Sequence, residues 1–242
     1  MVLGLFSKER ALKRNIEKTT AKHAQSVDRR AAMEKLLKDG SEEAFYGLCK
    51  RFSLNYDKGI EDQQEKEWVV QTLTAHPEKS LGPLRRYMKN ASSLGYPLQI
   101  LGKIANDTVA LEVIDELLAD EEPGYTRDPS KRIDIIEWLA EWEDQDAETI
   151  FARIGPYLAD YDENVRFKTV EALSLRPTPN MAEPMLEALL REEEESARIK
   201  RRIADVLAEQ QLPLGDHKKA VSALLPDVLS DFKLHRDKLT KK

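Results

Sequence analysis

The stretch DENVRFKTVEAL at 162–173 returns in outline as SARIKRRIADVL at 196–207, after 34 residues. Each copy opens on a helix-capping residue, continues through an aliphatic and a base, and closes on apolar residues. Self-similarity at a fixed period of this length is the mark of stacked supersecondary units. A single unit cannot bury its own apolar stripe, whereas neighbours laid side by side bury a continuous one, so the repetition in sequence is a repetition of core.

The template extends backward. Asp128, Asp162 and Ser196 are spaced by 34 and 34 residues as N-cap candidates, and four residues after each comes a base, Arg132, Arg166 or Lys200. Pro129 after Asp128 suits a first helical turn, where a missing N–H costs nothing. The last apolar residue of each copy falls at Leu37, Leu73, Ile104, Leu139, Leu173 and Leu207. Between copies lies a second amphipathic helix, as in 181–190. The unit is therefore a helical hairpin, repeated about six times. Three- and four-residue apolar spacing predicts about a dozen helices and no sheet, with an amino-terminal helix over 8–25 and a last helix over 217–235. Residues 53–60, including Tyr56, Asp57 and Lys58, and residues 121–127 read as loops.

Asp162 with Val165-Arg166 and Ala172-Leu173 resembles the signature of HEAT repeats. Asp128 with Arg132, and Ser196 with Ile199-Lys200, are further copies. The resemblance implies an all-α, right-handed α-α superhelix of HEAT (armadillo-like) type: a basic helical extension over 1–26, a repeat domain over 27–235 and a basic tail over 236–242. It also implies a ladder along the stack in which the arginine of one unit meets the family's aspartate, here Asp162. Charge-assisted hydrogen bonds of that kind are stronger than neutral ones.

Charge separates the chain into regions. Residues 1–30 hold eight Lys/Arg against three Asp/Glu and 231–242 hold five against two, which leaves −14 for 31–230 within a whole-chain net charge of −6. An acidic body is poorly suited to wrapping nucleic acid, because phosphate binding needs Lys and Arg to neutralise it. A partner protein with a basic surface suits it better. Cys49 is the one cysteine. No disulfide can form within the chain, and a reducing cytoplasm is the expected location. No apolar run approaches the roughly 20 residues of a membrane span.

The residues offer little chemistry. His23, His76, His217 and His235 lie far apart and none sits in a helical metal-site spacing, so no metal or cofactor is expected. The His-Glu pairs of HEAT-like iron hydroxylases are absent. Neither a glycine-rich phosphate loop nor a G-x-S-x-G elbow occurs. Cys49, on the apolar side of its helix, reads as a buried inert thiol. Trp138 falls in the core column of Ala172 and Val206, and Trp142 lies beyond it near the helix end. Glu192 to Glu195 read as solvated charge beside a helix start. The amino-terminal helix, with Leu5, Leu12, Ile16 and Val27 beneath a basic face, reads as a cap on the first repeat. No myristoylation signal is present, since Val2 stands where glycine is required.

The expected function is a non-catalytic protein–protein interaction scaffold. Its core columns run through Ile135, Ile136 and Leu139, then Thr169, Val170 and Leu173, then Ile203, Ala204 and Leu207. The residues left facing outward are the candidate partner-binding stripe: Asp134, Glu137, Lys168, Glu171, Arg202 and Asp205, with Trp68 in the equivalent place of an earlier repeat. Two other readings stand beside it. A repair enzyme of the HEAT-like alkylpurine DNA glycosylase kind would use the tryptophans. A membrane-surface adaptor would use the basic amino-terminal helix.

Overall fold

The computed structural model describes residues 2–55 and 59–242, with side chains from residue 7 onward. Tyr56, Asp57, Lys58 and the side chain of Leu5 lie outside the described residues. The described chain is mostly helical and falls into two compact units, Met1–Leu117 and Leu118–Lys242.

The first unit contains α1 (Val2–Thr19), α2 (Ser26–Asp39), α3 (Glu42–Cys49), α4 (Gly59–Thr74), α5 (Pro77–Asn90), α6 (Gly95–Ile104) and most of α7 (Asp107–Ala119). The amino-terminal helix is thus shifted toward the start of the chain from its expected span. Helix α2 stops at Gly40, whose φ of 70° is the left-handed conformation that an αL cap demands, and its N–H returns to the Leu36 carbonyl. Ser41 then caps α3 by accepting the Ala44 N–H at 3.3 Å. The resulting hairpin buries Met33, Leu36, Phe45 and Leu48, and α3 packs on α5 while α4 packs on α6.

Helix α1 lies on both α2 and α3. The approach is close because residue 47 is glycine: a Cβ there would fall 2.6 Å from Ile16 Cγ1. Ile16 and Thr19 are buried against the hairpin, whereas Val27, expected beneath the same basic face, is 70% exposed.

The second unit contains α8 (Ser130–Glu141), α9 (Ala147–Ile154), α10 (Glu163–Leu175), α11 (Ala182–Leu190), α12 (Ala197–Glu209) and α13 (Lys218–Leu224), followed by a hairpin of β1 (Phe232–His235) and β2 (Lys238–Lys241). Helices α8, α10 and α12 pack successively, and α12 also packs on α11. All nine expected core residues on them are buried. Thr169 is tolerated there because its hydroxyl donates to the Val165 carbonyl at 2.9 Å. In the first unit the register is looser: Leu73 is buried, but Leu37 and Ile104 are only half-buried, with Leu36 and Leu101 taking the core positions.

Trp138 departs from its column. Ala172 and Val206 are buried, but Trp138 is half-buried and its ring lies 4.8 Å from that of Trp142.

The expected helix over 217–235 and the expectation of no sheet are both overturned. Helix α13 ends at Leu224, two residues short of Pro226, which lacks a donor and disfavours helical geometry in the residue before it. The chain then forms an antiparallel hairpin with Leu234 opposite Leu239. Its two-residue connection places Arg236 at φ 55°, a conformation more usual for glycine or asparagine. The connection is held from outside, since Leu214 N–H donates to the Asp237 carbonyl at 2.9 Å. Phe232 and Leu239 are buried, and β2 packs on α12.

Candidate functional site

The second unit lines up three helix starts. Asp162 Oδ1 accepts the N–H groups of Asn164 and Val165 at 2.8 and 3.2 Å, and Ser196 Oγ accepts that of Ile199 at 3.4 Å. Asp128 Oδ1 accepts the Ser130 N–H at 3.1 Å, with Pro129 between them as the capping residue rather than inside the helix. These contacts satisfy donors that the helices leave unpaired.

The ladder is real but its carboxylates are not those expected. Arg132 Nη1 meets Asp160 Oδ2 at 2.8 Å, and Arg166 grips Glu194 through Nε at 2.6 Å and Nη2 at 3.1 Å. Asp162 is occupied with capping, so the acid comes from two residues earlier in each repeat. Asp160 also accepts the Asp162 N–H at 2.8 Å, as Glu194 accepts the Ser196 N–H at 3.0 Å. Both acids are 2% exposed. Glu194 therefore leaves the solvated run expected over 192–195, while Glu192, Glu193 and Glu195 remain exposed. The row stops at Lys200, because Val228 stands where the next acid would be.

Along the opposite part of the same helices runs the charged stripe, and its members meet across repeats. Glu137 of α8 pairs with Lys168 of α10, and Glu171 of α10 pairs with Arg202 of α12. Asp205 of α12 pairs with Lys241 of β2 at 2.8 Å, which raises the Lys241 pKa through that hydrogen bond. Asp134 is half-buried on α8. The hairpin thus adds a fourth member that was read only as a basic tail.

Between α8 and α10 the stripe opens into a groove of about 240 Å³, floored by Ala140, Ala172 and Phe167 and rimmed by Glu137, Glu141, Lys168 and Glu171. Leu175 stands in it 67% exposed. An Arg198 guanidinium covers the Phe167 ring at 3.6 Å.

Trp68 lies in the first unit, half-buried on α4 with the Arg30 guanidinium 4.1 Å from its ring centre. Cys49 is fully buried, and burial pushes its thiol pKa up to about 12, far from a reactive thiolate. His76 meets the Thr72 carbonyl at 2.9 Å and His217 meets Glu183 at 2.6 Å. No group of three potential metal-binding side chains occurs among the described residues. No described helix is long and apolar enough to cross a membrane.

Asp160, Glu141, Phe167 and Leu175 were not singled out in the sequence, and Glu194 was read only as part of a solvated run. Asp160 and Glu194 carried a usable signal: they are themselves 34 residues apart, as their arginines are. The groove carried none, since Phe167 and Leu175 look like ordinary apolar members of a helix.

Comparison with known proteins adds no name: no family model, no curated protein and no solved structure matches this chain.

Proposed function

We propose that the chain is a protein-binding scaffold of HEAT type, cytoplasmic and non-catalytic, whose repeats form a right-handed superhelix of about six helical hairpins. The observation that supports this most is the surface of α8, α10 and α12. Three consecutive inner helices present one row of interleaved charge, and a shallow apolar-floored groove with a solvated leucine opens within it. Shared cap, ladder and core positions at a single period support the HEAT architecture. Fold resemblance alone does not assign a role, so the reading rests on that surface. Its partner is a protein that places basic groups against Glu137, Glu141 and Glu171 and an apolar side chain against Leu175. A glycosylase reading gains nothing from Trp138 and Trp142, which pack against each other.

The test compares native-lysate capture by the wild-type chain and by Leu175→Arg. Leu175 is solvated, so stability should change by no more than about 0.5 kcal/mol. A partner retained by the wild type should be lost by the variant, and its retention should fall as salt rises. Equal retention by both would move the binding surface elsewhere. Binding of labelled duplex DNA by the wild type would favour the repair-enzyme reading instead.

A further inference from the structure

The first unit has a second feature that this function does not use. Helices α1 and α2 run alongside one another, and between them lies a groove of about 410 Å³. Its floor is small because Ala11, Ala31 and Ala32 face across it. Asp28 and Lys18 close one end as an ion pair at 3.2 Å. Toward the other end come Asn15, Arg14 and Lys35, spaced so that Arg14 and Lys18 share a face of α1 while Asp28, Ala31 and Lys35 share a face of α2.

The charges do not balance. Lys18 and Asp28 cancel, which leaves Arg14 and Lys35 as two positive charges on one recess. Arg14 and Lys35 are exposed and Asn15 is half-buried. Among the described residues, no hydrogen bond or ion pair involves any of these three side chains. Among the other arginines of this unit, Arg29 and Arg51 pair with Glu65, Arg30 with Glu34, Arg85 with Glu116 and Arg86 with Glu43, while Arg10 stands exposed on α1 outside the groove. Donors of guanidinium, ammonium and carboxamide type converging on a concave, alanine-floored recess suit a tetrahedral oxyanion of matching charge. A phosphomonoester carries about −1.5 to −2 at neutral pH and three acceptor oxygens, and guanidinium holds such oxygens in a bidentate fork.

We propose that the α1–α2 groove binds a phosphomonoester through Arg14, Lys35 and Asn15. The group could be carried on a small soluble molecule or on a lipid headgroup, and the same chemistry serves both. A recess of this volume lies within the range for small-molecule sites, about 300–1,000 Å³, and the exposed rim leaves it open to either source.

Two probes separate them. Glycerol phosphate is titrated by calorimetry against the full chain, and vesicles of phosphatidylcholine doped with phosphatidic acid, or with phosphatidylserine in its place, are tested by co-sedimentation. Binding of either phosphomonoester probe, with phosphatidylserine vesicles bound more weakly, is the expected result. Arg14→Gln with Lys35→Gln should weaken it about tenfold or more, since each removes a charge-assisted contact. Lys8→Gln with Lys13→Gln lowers the net charge equally but touches exposed cations outside the groove, and should leave affinity within about twofold. Circular dichroism checks that both double variants remain folded. Soluble binding alone identifies a small-molecule ligand, and vesicle binding identifies a headgroup. If neither probe binds, if the two double variants lose affinity equally, or if duplex DNA binds while neither phosphomonoester does, the groove is not a site.

Discussion

The two units handle buried charge in opposite ways. In the second, charge is spread from repeat to repeat: Arg132 with Asp160 and with Glu121, which also holds Lys131, then Arg166 with Glu194. In the first it is gathered into one knot. Glu65 of α4 receives Arg29 from α2 at 3.0 Å through both Nε and Nη2, Ser26 at 2.7 Å and Arg51 at 2.7 Å. Arg51 also reaches Asp62 at 2.6 Å, and Asp62 holds Lys66 at 2.7 Å. Arg29 and Arg51 are 1% and 0% exposed. A ladder tolerates the loss of a rung because each serves one junction. The knot joins three segments through one carboxylate, so its failure should be local in sequence and large in energy.

The largest expected effect follows from that. Glu65→Ala leaves two buried guanidiniums without their shared anion and should cost about 3–5 kcal/mol, the usual range for breaking a buried pair from one side. Urea unfolding measures it. A loss near 1 kcal/mol would erase the contrast between the units. The knot should also be the acid-sensitive part. Burial opposes ionisation of Glu65, but hydrogen bonds from Arg29, Ser26 and Arg51 outweigh it and hold the pKa below the ordinary 4.5. A depressed carboxylate contributes stability that is complete above its unfolded pKa and lost as pH falls through its folded one. Stability of the wild type should therefore drop below pH 4.5, and more steeply than that of Glu65→Gln.

The next effect sets core against core. Leu173→Ala should cost about 2–5 kcal/mol as a fully buried truncation. Leu37→Ala, at the aligned place in the first unit, should cost roughly half as much, because a half-buried side chain has less apolar area to lose. Equal costs would mean that the register is as strict in one unit as in the other.

Smaller again is the distinction between cap and rung. Asp162→Ala should cost about 1 kcal/mol as a lost N-cap. Combined with Arg166→Ala it should be additive within about 0.5 kcal/mol, whereas Glu194→Ala combined with Arg166→Ala should show coupling of about 0.5–3 kcal/mol. The reverse pattern would restore Asp162 to the ladder.

These contrasts also explain what could be read from the sequence. The second unit was legible because one side chain does one job per repeat: cap, base, core column and stripe each recur at the same offset, and periodicity exposes them together. The ladder acid was misassigned because Asp162 satisfies the motif while the backbone N–H groups at its helix start claim its carboxylate first. The knot was invisible because Arg29, Arg51, Glu65 and Asp62 obey no period and meet only through tertiary packing. The carboxy-terminal hairpin escaped notice for a local reason. Its turn is Arg236-Asp237 instead of a glycine- or asparagine-bearing pair, and its positive φ is held by contacts from Leu214 and Gly215 that no local pattern announces. Trp68 matched the stripe by alignment alone, but it lies in the unit where alignment is weakest.

The smallest expected effect concerns the stripe itself, and its size is what separates a binding row from a structural one. Glu137 and Lys168 pair across α8 and α10 with 45% and 41% of their side chains exposed, in contrast with the 14% and 1% of Arg166 and Glu194. Water screens the exposed pair and ordering two long side chains costs entropy, so exposed pairs contribute about 0–1 kcal/mol. Glu137→Gln should therefore change stability by no more than about 0.5 kcal/mol. The same substitution removes a rim charge from the groove, so it should speed partner dissociation or slow association in a salt-dependent manner. Thermal unfolding and binding kinetics at two salt concentrations read the two effects separately. A change in binding without one in stability assigns the row to recognition, as its exposure implies. A stability loss as large as that of Arg166→Ala, with binding unaltered, would make the stripe a second ladder and leave the two edges of the repeat alike.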